Sequence, residues 1–211
     1  MLKGKIVDIQ FRRALPEDAK QAAGLICDAG PEAMDYAFAT KKYSPVDFVS
    51  AAFINGSGII GYKNHVVAAV DGQVAGIGAF YAGRHFGRLS LEMIWQIIRF
   101  YGPFACWRVL RRGSHLETLM PAPDRDALFI QNFAVAKEMQ NKGIATALLQ
   151  HRLQLARQAN FRSCLLDVAM TNRKAKNLYE KMGFRVVEKR SRPITDGHFF
   201  VPGHERMALY L

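Results

Sequence analysis

The run from Leu128 to Phe184 constrains this chain most, and its centre is the turn Gln140, Asn141, Lys142, Gly143, Ile144, Ala145. Before the turn, Leu128 to Val135 is apolar and reads as a strand; after it, Ile144 to Gln158 reads as a helix. A helix that opens from a polar loop has unpaired backbone N–H groups in its first turn, and a glycine in the loop lets a ligand approach them. A pyrophosphate needs such converging donors, and Lys142 adds a mobile cation. Many helices follow a polar loop with a glycine, so alone the turn marks an anion site of low specificity. Ser163 to Ala169, after Asn160, is a further short apolar run, which makes the segment a strand–helix–strand unit with parallel strands.

Composition sets the frame around that unit. The chain has 211 residues and a 50% hydrophobic content, enough for a sizeable core. No linker or repeat divides it, so one domain over 1–211 is expected. The formal charge of +11, from 29 Lys and Arg against 18 Asp and Glu, favours anionic ligands. The basic residues form neither a tail nor a nucleic-acid motif, so no specific nucleic-acid partner is expected. Cys27, Cys106 and Cys164 are widely spaced and odd in number, giving neither a disulfide framework nor a metal set. A reducing, cytoplasmic location fits them. Met1 to Arg13 lacks the apolar core and cleavage site of a secretory signal and reads as part of the fold.

Along the chain, Ile6 to Arg12 alternates as a first strand, and Pro16-Glu17-Asp18 starts a helix that Gly30-Pro31 ends. Helical stretches follow over Pro31 to Tyr43 and from Ser44-Pro45 to about Asn55-Gly56. Gly56 to Gly61 lacks the frame of a nucleotide fingerprint and reads as a flexible loop. His65 to Val70 and Gln73 to Tyr81, joined through Asp71-Gly72, form a β-hairpin, with a bulge expected at Gly76 and Gly78. Leu89 to Phe100 and Pro103 to Leu110 read as two helices broken at Gly102-Pro103. Glu92, Arg99 and that break exclude a transmembrane span. This pair covers the sheet, forms a homodimer surface over 84–112, or lies on an anionic membrane through its basic flanks, with packing or dimerisation favoured. Asp126 to Val135 is the fourth strand, Asn172 to Met182 a helix stopped by Gly183, and Phe184 to Lys189 and Arg206 to Tyr210 closing strands.

The order strand, Q-x-x-G-x-A, helix, strand, Asn172, Tyr179, Gly183-Phe184 resembles the GNAT superfamily of acyl-CoA-dependent N-acetyltransferases. The matching text is QNKGIATALL at 140–149 and LLDVAMTNRKAKNLYEKMGF at 165–184, and the spacing N-x-x-A-x-x-L-Y-x-x-x-G-F is its specific part. The likeness is strong over 128–190, follows the layout over 6–81 and fails over 84–126. It implies an α/β fold whose central sheet is mixed, mostly antiparallel and flanked by helices, with 84–126 as a helical insertion between the third and fourth strands. It also implies an N-acetyltransferase that uses acetyl-CoA as co-substrate, needs no metal and modifies a small-molecule or peptide amine.

In that family the loop binds the CoA pyrophosphate through backbone N–H groups, which implies Gln140, Asn141, Lys142, Gly143, Ile144, Ala145 and Thr146 here. The strand before it presents backbone groups to the acetyl and pantetheine parts, which implies Phe133, Ala134 and Val135. Asn172 would contact the cofactor arm, a role compatible with capping its helix. Tyr179 matches the tyrosine that protonates the departing CoA thiolate. A phenol is a suitable donor for that step. The competing reading packs Tyr179 on one apolar face with Ala175, Leu178 and Met182.

The attacking amine must lose a proton, and Asp167 is the first candidate base because it interrupts an apolar strand twelve residues before Tyr179. The placement resembles the Glu base of family members that acetylate ribosomal-protein N-termini, with a reach one methylene shorter. An Asp that only hydrogen-bonds backbone is the other reading. His151 reads as a packed or rim residue, while His198 and His204 sit where an acceptor pocket could form. A rival to catalysis keeps the fold as a non-catalytic acyl-CoA-binding or interaction module that uses its basic surface and its insertion.

Overall fold

The structure, a computed structural model, describes residues 8–211. Strand β1 (Gln10–Arg13) falls on the last part of the first predicted strand; Ile6 and Val7 lie outside the described residues. Helices α1 (Ala19–Asp28), α2 (Pro31–Phe38) and α3 (Pro45–Asn55) follow. Pro31 and Pro45 each occupy a first turn, where no N–H is needed. At the start of α3 the Ser44 N–H donates to Asp47 Oδ2 (2.8 Å) and the Asp47 N–H to Ser44 Oγ (3.4 Å), a reciprocal cap, and Gly56 ends the helix at φ 81°. Strands β2 (His65–Val70) and β3 (Gln73–Ala82) make the expected hairpin. Its turn residues Asp71 (φ 51°) and Gly72 (φ 77°) are both left-handed, as a tight two-residue turn requires.

Helix α4 (Phe86–Leu116) is the predicted helical pair, divided at Gly102 (φ 72°, ψ 175°) before Pro103. The remaining elements are β4 (Ala127–Val135), α5 (Ile144–Gln158), β5 (Ser163–Ala169), α6 (Arg173–Lys181), β6 (Arg185–Arg190), β7 (Ile194–Asp196), β8 (Phe199–Val201) and β9 (His204–Tyr210). Seven strands form one sheet in the order β1-β2-β3-β4-β5-β9-β6, in which only β4 and β5 are parallel. The sheet is thus mixed and mostly antiparallel, with the insertion between its third and fourth strands.

Alternate strand residues separate the two faces. Leu128, Ile130, Leu166 and Met207 pack with Ile144, Leu148 and Leu149 of α5 and Tyr179 of α6. Phe129, Leu165 and Ala208 pack with Leu89 of α4, while Val67 and Ile77 pack with α1, α3 and both halves of α4. Tyr101 donates to the Phe38 carbonyl (2.8 Å) and Arg112 to that of Ala39 (3.0 Å), tying α4 to the end of α2. The insertion therefore builds one wall of the core.

Three local readings change. The glycine loop at 56–61 is pinned rather than flexible: the Gly58 N–H donates to Glu92 (2.7 Å), Gln96 donates to the Ser57 carbonyl (2.9 Å), and Ile59 and Ile60 are buried. The late loop contains the β7–β8 hairpin, anchored where Arg112 stacks 4.5 Å over Phe199. Of the bulge expected at the two glycines, the part beside Gly76 is in β3, where Ala75 is the extra residue between the pairs Ala68–Gly76 and Ala69–Val74, whereas at Gly78 the extra residue is in β4, opposite it.

Candidate active site

Strand β4 starts parallel to β5, with Ala127 to Ile130 paired to Ser163 to Leu166. Against β3, Ala79 pairs with Gln131 and Ile77 with Ala134, so Asn132 and Phe133 together face the single residue Gly78. Asn132 adopts φ 53°, a conformation asparagine tolerates better than most side chains. A Cβ on residue 78 would lie 2.8 Å from the Phe133 and Phe80 rings, so glycine makes room for the bulge. Beyond Ile130 the pairing of β4 to β5 stops, while β5 continues against β9 to the pair Ala169–His204. The gap leaves the backbone of Phe133, Ala134 and Val135 beside a cleft between parallel strands.

The bulge is held from behind. His65 is buried; its Nδ1–H donates to the Gly61 carbonyl (3.0 Å), so Nε2 accepts from the Asn132 amide (3.5 Å). Burial pushes the His65 pKa down to about 4, against the opposing hydrogen bond to Gly61, which keeps the ring neutral in this role.

The chain leaves β4 through a short 3-10 turn and enters α5 through Asn141 (φ 61°) and Gly143 (φ 81°). The first helical hydrogen bond at this end runs from the Ala147 N–H to the Gly143 carbonyl (2.9 Å), and no side chain caps the helix. Among the described residues the N–H groups of 141–146 have no backbone acceptor. They form a row of donors at the positive end of a fifteen-residue helix. Gln140 reaches back to the Val135 carbonyl (3.3 Å) and accepts from Lys174 Nζ (2.6 Å), which ties the loop to α6. This donor row, with nothing within 4 Å of a Cβ built on Gly143, fits the pyrophosphate of an acyl-CoA. Asn172 caps α6 by accepting the Ala175 N–H (3.0 Å).

Tyr179 is buried against Phe133 and Phe184, with ring centroids 6.4 and 5.9 Å away. Burial pushes its phenol far above the usual value, so it keeps its proton. Its hydroxyl has no hydrogen-bond partner among the described residues. Tyr179 lines a cavity of about 450 Å³ that extends past Asn132 to Ile97, Leu110 and Ala33, so one chamber reaches from α6 through the strand gap to α4 and α2.

Asp167 also lines this chamber, but its carboxylate is engaged. Arg206 grips both oxygens (2.9 and 2.7 Å), and Arg190 lies 3.5 Å from one of them. Both oxygens of this carboxylate are thus committed to guanidinium donors rather than left open to an incoming amine. Arg206 also donates to the carbonyls of Pro121 and Ala122, so the cluster anchors the loop before β4. His204 offers a different group. Its Nδ1–H donates to the Pro202 carbonyl (2.9 Å), which leaves Nε2 as a lone pair, and its ring lines the chamber with Tyr179. Burial pushes its pKa down, with that hydrogen bond and the charge of Asp167 opposing.

The acetyltransferase (GNAT) family matches residues 35–184. The chain belongs to that family. Probable N-acetyltransferase camello of Xenopus tropicalis is 28% identical over 192 residues, covering 85% of this chain and 87% of that protein. Among solved structures, an N-acetyltransferase from Staphylococcus aureus Mu50 superimposes with a TM-score of 0.69 at 20% identity, covering 95% of this chain and all of that one. Drosophila melanogaster polyamine N acetyltransferase gives 0.59 at 16% identity, covering 97% of this chain. The protein is an acyl-CoA-dependent acetyltransferase with a GNAT fold.

In this acetyltransferase Phe133, Asp167, Tyr179 and His204 line one chamber, while Ala134, Val135 and the 140–146 loop follow Phe133 in the chain and are not part of its lining. His151 lies apart, stacked on Phe11 (4.6 Å). Asn132 had no mark in the sequence beyond being a polar residue inside a strand. Among the described residues no group of three or more His, Cys, Asp or Glu side chains is arranged to hold a metal.

Proposed function

We propose that the protein transfers an acetyl group from acetyl-CoA to the primary amine of an acceptor with an apolar body, by direct attack. The observation that carries this reading is the single chamber crossing the strand gap: Tyr179 lies at one end, and apolar side chains of α2 and α4 line the other. The N–H groups of 141–146 hold the pyrophosphate, and backbone groups of Phe133 to Val135 hold the pantetheine arm and the thioester. Asn172 keeps Lys174 and the loop in register by capping α6. The amine attacks the thioester carbonyl, the carbon–sulfur bond breaks, and Tyr179 protonates the sulfur.

The acceptor's proton passes to His204 Nε2, and Asp167 positions Arg206 rather than acting as the base. Ala33, Ile97, Val109 and Leu110 supply no partner for additional charges on the acceptor. The lining carboxylates Glu32 and Glu117 are exposed, and Asp167 is neutralised by its arginines. An ammonium entering such surroundings loses its proton more easily than in water, which favours the attacking form. The half-buried Cys27 and buried Cys106 and Cys164 are free thiols, which suits a reducing compartment such as the cytoplasm.

The test is release of CoA thiol from acetyl-CoA with a panel of alkylamines and arylalkylamines set against spermidine and an aminoglycoside. The apolar amines are expected to lead in kcat/KM, with His204→Gln lowering kcat while leaving the KM for acetyl-CoA unchanged. Preference for spermidine would remove the apolar-acceptor reading. Tight acetyl-CoA binding with no thiol release on any amine would favour a non-catalytic binding module.

A further inference from the structure

Helix α4 has a second face that the acetyltransferase chemistry does not use. Leu91, Trp95, Phe104 and Trp107 are 62, 66, 97 and 72% exposed, far more than side chains of this size usually are in a folded chain. They recur with arginines at helical spacing: Arg88, Leu91, Trp95 and Arg99 in the first half, Phe104, Trp107, Arg108 and Arg111 in the second. The opposite sides of both halves are committed to the protein, since Ile97 and Val109 are buried there.

Charge on this face has one sign. From residue 84 to 116 the sole acid is Glu92, and it is held by Arg88 (2.8 Å) and by the Gly58 N–H (2.7 Å). Arg84, Arg99 and Arg108 have no ion-pair partner among the described residues, and Arg111 has a loose one, Asp196 at 3.7 Å. An isologous dimer through this face would set these arginines against those of its own copy, a like-charge contact that opposes association. An anionic bilayer surface satisfies both halves of the pattern: indole and phenyl rings enter the headgroup boundary while guanidinium groups meet phosphates and carboxylates. Among the described residues no helix is long and apolar enough to cross a membrane, so the contact would lie along the surface.

We propose that the outer face of α4 seats the protein on an anionic lipid surface. The chain's two tryptophans, Trp95 and Trp107, are both exposed, one on each half of α4, so selectively excited tryptophan emission reports on this helix alone. The experiment adds vesicles of phosphatidylcholine, with or without phosphatidylserine, to the full chain and follows the emission maximum and co-sedimentation. The expected result is a blue shift and pelleting with phosphatidylserine only, weakening as salt rises. Arg99→Gln and Arg108→Gln should each lower the partition coefficient about fivefold. Phe104→Ser should lower it further without moving the thermal midpoint, because that ring packs on nothing in the fold. The proposal is overturned if neither vesicle shifts the emission, if neutral vesicles bind equally well, or if light scattering shows a concentration-dependent dimer that alone accounts for the shift.

Discussion

Replacing Tyr179 with Phe separates the two readings of that residue. The ring is almost wholly buried between Phe133 and Phe184, and the hydroxyl has no protein partner among the described residues, so the variant keeps the packing and loses only the donor. A purely packed tyrosine would therefore tolerate the change, with stability moving by less than about 1 kcal/mol. A general acid contributes about 10²- to 10⁴-fold, or roughly 3–5 kcal/mol of barrier. Burial raises the phenol pKa, and the same dry surroundings also raise the proton affinity of the departing thiolate, so the two remain matched as charge develops on sulfur. The assay is thiol release at saturating acetyl-CoA with the best amine of the panel, beside a thermal melt of both proteins. A kcat drop of two orders of magnitude or more at an unchanged melting temperature is expected. A kcat within about threefold of the parent would refute the assignment. The high phenol pKa also means that Tyr179 should produce no alkaline limb below the denaturing range.

Other consequences follow from the same geometry. In Asp167→Asn one partner of a buried ion cluster is lost, leaving the buried Arg206 without an ion-pair partner while Arg190 keeps Glu188, so unfolding free energy in urea should fall by about 3 kcal/mol. If Asp167 positions rather than accepts protons, the surviving folded enzyme keeps its kcat within about tenfold. His65 is neutral when folded, with a pKa of about 4, and takes a proton below about 6.5 when unfolded. The unfolded state thus binds more protons in that window, and stability should fall by about 1.4 kcal/mol per pH unit from 6.5 towards 4. Urea midpoints of the parent and His65→Gln across that range check the slope, which the variant should lose. At Gly143, where φ is 81° and no heavy atom crowds the added Cβ, alanine should cost about 1 kcal/mol of backbone strain and raise the KM for acetyl-CoA more than it changes kcat.

Local signals carried most of the fold. Pro31, Pro45, Asp71-Gly72, Gly102-Pro103 and Gly183 each act on their own few residues, and each punctuates the chain where its backbone preference requires. The pinned 56–61 loop was illegible because its partners, Glu92 and Gln96, lie more than thirty residues further along the chain. The two glycines show how one local signal can hold at one position and be displaced at the next: the bulge beside Gly76 is in β3, whereas the one at Gly78 is in the facing strand β4. Gly78 marks a close approach, but the residue that leaves the ladder is Asn132, whose left-handed turn gives no motif of its own. Asp167 and His204 follow the same logic. A charge interrupting an apolar strand is visible in sequence and draws attention to Asp167, whereas the arginines that engage it come from positions 23 and 39 residues away. His204 is visible in sequence only as one of two late-loop histidines beside a possible acceptor pocket; the pairing of β9 with β5 is what places it opposite Ala169 and in the lining of the chamber. On the proposed reading the donor side of the reaction is written in one contiguous segment, while the acceptor side is assembled from α2, α4, β5 and β9. A chamber built from four separate segments can change its preferred amine by substitutions in any one of them without disturbing the 140–146 cradle.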